Sequence, residues 1–192
     1  MRLETERLVL RSLETDDVEP EVALWQDPDV MVFMGGPRNP ERVRDMLQAE
    51  LKAPPTGPLG QWPVVERGSE EFVGDCGLIA KDIEGRREVE LVYVFTAGAW
   101  GKGYATEIGS ALLHFGFDEL GLERIVSLID LDNAASKRGA AKLGWFGRRG
   151  LHVRTAVFAT FGRSHPLDDR GLGSDVIGEA SQEVRNRLEF RV

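Results

Sequence analysis

Three strand-like segments follow one another with no helix between them, and this constrains the fold more than any other feature. Residues 62–67, 72–80 and 88–95 are rich in apolar and β-branched side chains, and the links "RGSEE" and "DIEGRRE" have the composition of hairpin turns. Consecutive hairpins build an antiparallel meander. The chain is therefore not a repeated series of βαβ units.

Helices and strands on both sides of the meander predict a mixed α+β domain. Before it we expect a strand over residues 7–13, a helical segment reaching Trp25, a loop over 27–40, and a helix capped by Asn39 with Pro40 in its first position. After it we expect a helix over 103–119, a strand over 124–130, a helix over 133–144 and a strand over 152–161. These elements predict one domain, residues 1–164, followed by a tail, 165–192, made of loop and a short helix.

Composition and charge exclude several classes of protein. The 192 residues are 42% hydrophobic and 29% charged, as in globular proteins, and no apolar run is long enough to cross a membrane. A net charge of −8 disfavours nucleic-acid binding. One cysteine, Cys76, and three histidines leave no disulfide and disfavour a metal site. The charged N-terminal segment does not resemble a signal peptide, so we expect a cytoplasmic protein without membrane contact.

The stretch "FTAGAWGKGYATEIG", residues 95–109, places glycines where a strand gives way to a helix. It lacks the Ser or Thr that follows lysine in a P-loop, and Thr106 occupies the position of the third glycine of a dinucleotide fingerprint. Two interpretations remain open. The segment is either a simple turn or a phosphate site made of backbone N–H groups at a helix N-terminus.

The residues around this stretch resemble a known family. Residues 90–93 (E-L-V-Y), 100–107 (W-G-K-G-Y-A-T-E), Asn133 with Ser136, and 142–145 (K-L-G-W) are similar to motifs of the GNAT N-acetyltransferases, in the branch of the ribosomal-protein-alanine N-acetyltransferases. The resemblance extends over residues 3–161. It implies a single domain with a central, twisted, mostly antiparallel sheet that is splayed near its fourth strand, residues 88–95, and flanked by helices.

The resemblance also implies acetyl-CoA as co-substrate, with no metal. The pyrophosphate would rest on the glycine turn, and the pantetheine would pair with the strand that precedes the turn. Trp100 replaces the Gln or Arg of the wider superfamily, so phosphate binding depends on N–H groups and Lys102. The implied coenzyme contacts are Val94, Phe95, Ala97, Trp100, Gly101, Lys102, Gly103, Tyr104, Ala105, Thr106, Asn133 and Lys137.

Transfer of an acetyl group to a primary amine requires a neutral amine and a proton for the departing thiolate. By resemblance, Glu90 is the candidate base for direct attack in a ternary complex, with Glu88 or water as alternatives. The other interpretation is that Glu90 is an exposed strand carboxylate or only holds a cationic acceptor. Ser136 is the candidate proton donor and Asn133 a cap or site contact. Ala140 occupies the position of the tyrosine that many relatives use as the acid.

The acceptor is expected to be a small-molecule amine or a protein N-terminus. Trp25, Phe33 and Glu90 resemble residues that line the acceptor groove, and each of the two aromatic residues also fits a core position. Val92 and Val94 depart from the glycine and tryptophan common in this branch. These departures leave open a second function class, an acyl-CoA-binding sensor or interaction module without robust catalysis. A homodimer is also expected.

Overall fold

The computed structural model describes residues 1–83, 85–144, 146–149 and 155–161. Eight strands and five α-helices make up this part of the chain. The strands are β1 (Arg2–Glu4), β2 (Leu8–Arg11), β3 (Gly60–Glu66), β4 (Phe72–Ile83), β5 (Arg86–Phe95), β6 (Arg124–Asp130), β7 (Phe146–Arg149) and β8 (Thr155–Phe161). The helices are α1 (Val18–Gln26), α2 (Pro28–Met31), α3 (Pro40–Lys52), α4 (Tyr104–His114) and α5 (Ala134–Lys142).

The strands form one sheet in the order β1-β2-β3-β4-β5-β6-β8-β7. All neighbours pair antiparallel except β5 and β6, which are parallel because α4 carries the chain back across the sheet. The parallel pairing is limited to Glu90 opposite Val126. Beyond this pair the two strands separate, and we call the resulting gap the splay.

The two faces of β5 contribute to two separate apolar clusters. Leu91 and Phe95 pack with α4 residues such as Ile108 and Leu112. Val94 packs on the opposite face with side chains of α1 and α3, including Trp25. Because side chains alternate along a strand, Glu90 and Val92 lie on the same face as Val94.

The predicted α+β class, the meander and the splay beside the strand of residues 88–95 are confirmed. The cap of α3 is also confirmed, since the Asn39 side chain accepts the N–H of Arg42 at 3.0 Å. The short strands β1 and β7 were not predicted from the sequence. Helix α2 lies inside the predicted loop and was not predicted either; the Asp27 side chain caps it by accepting the N–H groups of Asp29 and Val30.

The helix predicted over residues 103–119 changes character near its end. Regular α4 stops at His114, and a π-helical turn follows at Phe115–Glu119. Gly116 in this turn packs against β6. A Cβ at position 116 would lie only 2.6 Å from Ile125 Cδ1, so a larger residue there would clash. The tail of residues 165–192 lies outside the described residues, and the homodimer remains a prediction. Among the described residues, no helix is long and apolar enough to span a membrane.

Candidate active site

Glu90 lies at the point where the splay begins, and its carboxylate is buried, with 6% of the side chain exposed. Oε2 accepts from Lys81 Nζ at 2.8 Å, and Oε1 accepts the backbone N–H of Leu128 at 3.2 Å. The side chain thus bonds to β6 just beyond the last paired residue, Val126. The interpretation of Glu90 as an exposed strand carboxylate is wrong, because the sheet and Lys81 cover it.

Glu88, the alternative base, lies two residues earlier on the same face of β5. Its carboxylate pairs with the guanidinium of Arg124 at 3.3 Å. Glu88 therefore links β5 to the first residue of β6, on the side of Glu90 away from the splay. Of the two carboxylates, Glu90 is the one at the opening.

The glycine turn at residues 101–103 has the geometry of an anion site. Gly101 and Gly103 have φ values of 76° and 85°, in the left-handed region that other residues rarely adopt. Within the described part of the chain, the N–H groups of residues 101–105 donate no hydrogen bond. They point from the start of α4, where the helix dipole favours negative charge.

Side chains from the N-terminal strands hold this turn in place. Arg7 donates from Nη1 to the Lys102 carbonyl at 3.0 Å and forms a salt bridge with Glu107 at 2.6 Å. Lys102 Nζ lies 3.3 Å from Glu66, which also accepts from the Tyr104 hydroxyl at 2.5 Å. Tyr104 is therefore a core residue that offers a ligand only its backbone, whereas the exposed Lys102 side chain would have to leave Glu66 to reach one.

Trp100 ties the end of β5 to the glycine turn. Its indole Nε1–H donates to the carbonyl of Phe95 at 2.9 Å, and 53% of the residue is exposed. The Phe95 carbonyl is thus already bonded within the chain. The pairing of a pantetheine arm with the backbone near Val94 and Ala97 stays a prediction.

The start of α5 brings two hydroxyl groups together. Asn133 caps the helix, as predicted, through its Oδ1 and the N–H of Ser136 at 2.9 Å. Burial raises the pKa of Tyr93, and the neighbouring Ser136 side chain opposes this rise. Gly139 makes room for the phenol, since a Cβ there would lie 3.2 Å from Tyr93 Oη. Tyr93 therefore reaches from β5 across the splay to α5.

Tyr93 was not predicted from the sequence to be a site residue. Its position in the strand motif was visible, but only the structure shows that its side chain spans to Ser136. Lys137, predicted to contact the coenzyme, donates from Nζ to the Leu131 carbonyl at 2.6 Å. Its charge therefore also stabilises the loop between β6 and α5.

The two predicted groove aromatics occupy different environments. Trp25 is buried, and its indole N–H donates to Glu21 at 3.0 Å. Phe33, just after α2, is 40% exposed. Trp25 thus packs in the interface between α1 and β5, whereas Phe33 is exposed at the surface and can contact a ligand.

Cys76 is unsuited to act as a nucleophile. It lies in the core with no exposed surface, and burial raises the pKa of its thiol well above the ordinary value. Among the residues with described positions, no group of three or more His, Cys, Asp or Glu could hold a metal ion.

Comparison with known proteins agrees with this geometry. The family model described as "Acetyltransferase (GNAT) domain" matches residues 7–145. The chain is 33% identical to the uncharacterized protein YkkB of Bacillus subtilis over 144 residues, which cover 74% of this chain and 84% of YkkB.

Solved structures show the same fold. A GNAT-family acetyltransferase from Bacillus anthracis superposes with a TM-score of 0.70 at 26% identity, over 84% of this chain and 98% of the other. RimL, a ribosomal L7/L12 alpha-N-protein acetyltransferase solved with coenzyme A, gives a TM-score of 0.68 at 14% identity, over 86% of this chain and 100% of RimL. Together with the family match, these likenesses show that the chain belongs to the GNAT acetyltransferase family.

Proposed function

We propose that this protein transfers the acetyl group of acetyl-CoA to a primary amine by direct attack in a ternary complex. The observation that carries the proposal is the splay between β5 and β6, with unbonded N–H groups at the start of α4 beside it. A strand-like arm can enter the gap while its phosphates meet those N–H groups. The residues present therefore fit acetyl-CoA as co-substrate.

In this proposal, the amine nitrogen attacks the thioester carbon and the carbon–sulfur bond breaks. Glu90 accepts the proton that the amine loses, since its carboxylate lies at the splay and Lys81 balances its charge. Ser136 gives a proton to the departing thiolate and takes one back from water, to which Glu90 in turn releases the proton of the amine. Tyr93, which lies beside Ser136, positions that hydroxyl. The buried Cys76 supports direct attack, because no accessible thiol is present in the described residues to form an acyl-enzyme.

The first test is calorimetric titration with acetyl-CoA, followed by measurement of thiol release over a panel of primary amines. We expect binding with one site per chain, and thiol release that requires both co-substrates. The rate should be linear in enzyme without a burst, because no covalent intermediate forms. An absence of acetyl-CoA binding would contradict the proposal outright.

A Gly103→Ala variant tests the role of the glycine turn. A side chain at a φ of 85° is strained, and relief of that strain re-aims the N–H groups. We expect acetyl-CoA affinity to fall about tenfold, the equivalent of 1–2 kcal/mol of left-handed strain or lost contacts. The measurement is calorimetric titration.

Gly121→Ala is the matched control, because Gly121 also has a positive φ, 65°, but lies in the loop before β6. We expect this variant to lose a similar amount of thermal stability and to bind acetyl-CoA like the wild type. Equal affinities for the Gly103 variant and the wild type would remove the turn from the coenzyme site.

A further inference from the structure

Two buried carboxyl groups lie on the α1/α3 face of the sheet, and the mechanism above uses neither. Glu21 of α1 is 1% exposed and Asp75 of β4 is 7% exposed; we call them the acidic pair. Asp75 is directly opposite Val94 in the β4–β5 ladder, and Glu21 accepts from Trp25. The acidic pair therefore lies beside Val94 and Trp25, on the face of β5 that packs against α1 and α3.

Asp75 is incompletely bonded. Its Oδ1 is buried and has no hydrogen-bond partner among the described residues. Its Oδ2 has one long contact, 3.4 Å, from Gln61 Nε2 of β3. A buried acceptor without a donor is costly and is expected only where something else supplies the donor.

The described part of the chain also supplies no cation for the acidic pair. None of the ion pairs formed there involves Glu21 or Asp75. Burial, followed by the charge of Glu50, raises the pKa of Asp75 to about 8. Burial and the nearby Asp75 likewise raise the pKa of Glu21.

Glu50 connects this site to the surface. It lies near the end of α3, it is half-buried, and its charge acts on both members of the acidic pair. Carboxyls on α1, α3 and β4 thus act on one another electrostatically across this face of the sheet. Glu50 is half-buried, and Glu21 and Asp75 are buried.

We infer that the acidic pair binds a protonated alkylamine, the second cation of a diamine acceptor whose other amine is acetylated. The inference rests on the proposed function. An ammonium group offers three donors and a positive charge, which match the unbonded Oδ1 and the two carboxyls. Val94 and Trp25, both buried in the apolar cluster on this face, border the region that the methylene chain between the two nitrogens would occupy.

The spacing of the sheet indicates the length of the diamine. Asp75 lies on the strand next to β5, opposite Val94, which is four residues along β5 from Glu90, or about 13 Å at about 3.3 Å per residue. The two carboxylate side chains and one hydrogen bond of about 2.8 Å to each nitrogen occupy part of this distance, which leaves about 5–10 Å between the two nitrogens. A diamine with a short methylene chain spans this range.

The test compares diaminobutane with butylamine, which has the same carbon chain and one amine. In the wild type we expect kcat/KM to favour diaminobutane by about 10- to 100-fold, the range for one charge-assisted hydrogen bond. In Asp75→Asn and Glu21→Gln this ratio should fall toward one. Asp45→Asn, a change of the same charge at an exposed position of α3, should keep the wild-type ratio.

The outcomes separate the two proposals. A wild-type ratio near one, or an unchanged ratio in Asp75→Asn, overturns the inference while acetyl transfer stands. If acetyl-CoA binds but neither amine reacts, the proposed function fails. Titration of diaminobutane into the acetyl-CoA complex then still tests whether the acidic pair binds the amine. Binding by the wild type but not by Asp75→Asn supports the inference. Equal binding by both proteins, or binding by neither, refutes it. Acetyl-CoA titration of each variant confirms that it is folded.

Discussion

Replacing Glu90 with Gln should lower kcat about 100- to 10,000-fold, the range for loss of a general base. Gln keeps an oxygen that can accept the Leu128 N–H, so the contact that links β5 to β6 at the splay survives. What is lost is the ability to take the amine's proton, together with the charge that pairs with Lys81. The measurement is kcat and kcat/KM across pH, with acetyl-CoA affinity determined separately.

The shape of the pH profile of kcat/KM distinguishes a catalytic role of Glu90 from a structural one. If Glu90 is the base, the pH dependence of kcat/KM should change shape in the Gln variant, because only the deprotonation of the amine substrate itself then remains. If the carboxylate only joins β5 to β6, the profile should keep its shape at a slightly lower rate. An unchanged profile with less than a tenfold loss would remove Glu90 as the base.

Glu88→Gln is the matched control for this experiment. Glu88 lies on the same face of β5 and forms its own ion pair, with Arg124. A loss of activity in both variants would point to a general electrostatic or structural effect. Glu90→Ala should also lower the free energy of unfolding by about 2–4 kcal/mol, since it leaves the Lys81 ammonium half-buried without a partner.

The elements with regular patterns were predictable from the sequence. The meander follows from alternating strands, and α3 follows from Asn39 and Pro40 at its start. The positive φ of Gly101 and Gly103 agrees with the turn expected at the strand-to-helix junction. In each case the cause lies within a few residues, where spacing and backbone preference decide the structure.

The side-chain partners were not predictable, because they depend on which residues meet across the fold. Lys81 and Glu90 are nine residues apart in the chain and pair only through the β4–β5 register. Tyr93 meets Ser136 only because β5 and β6 separate. Asp75, inside the apolar run "FVGDCGLIA", was the one visible signal of the acidic pair, since a carboxyl there interrupts a buried strand.

The thermal stability of this protein should fall as the pH rises from about 6 to about 9. The pKa of Asp75 is about 8 in the folded protein, against an ordinary value of 3.8. Between these values the folded state holds a proton that the unfolded state has released, so the free energy of unfolding decreases with pH. For Asp75 alone the loss over this range is about 2–3 kcal/mol.

The acidic pair should account for this loss. Glu21 acts in the same direction, because its pKa is also raised by burial. The carboxyls with lowered pKa values, Glu19, Glu66 and Glu107, lose their contribution only in acid, below this range. Thermal unfolding of Asp75→Asn should therefore show a flatter dependence from about pH 6 to about pH 9. The double variant with Glu21→Gln should be flatter still, with Glu50 and Cys76, whose pKa values burial also raises, left as contributors.

Diaminobutane links this stability to the proposed acceptor site. An ammonium in the acidic pair favours the ionised carboxyls, so the diamine should raise the unfolding temperature most near pH 8 and above, while the amine is still protonated. Butylamine at the same concentration is the control for ionic strength and for binding at the splay. A pH-independent stability in the wild type would show that Asp75 does not titrate in this range and would remove the electrostatic basis for the site.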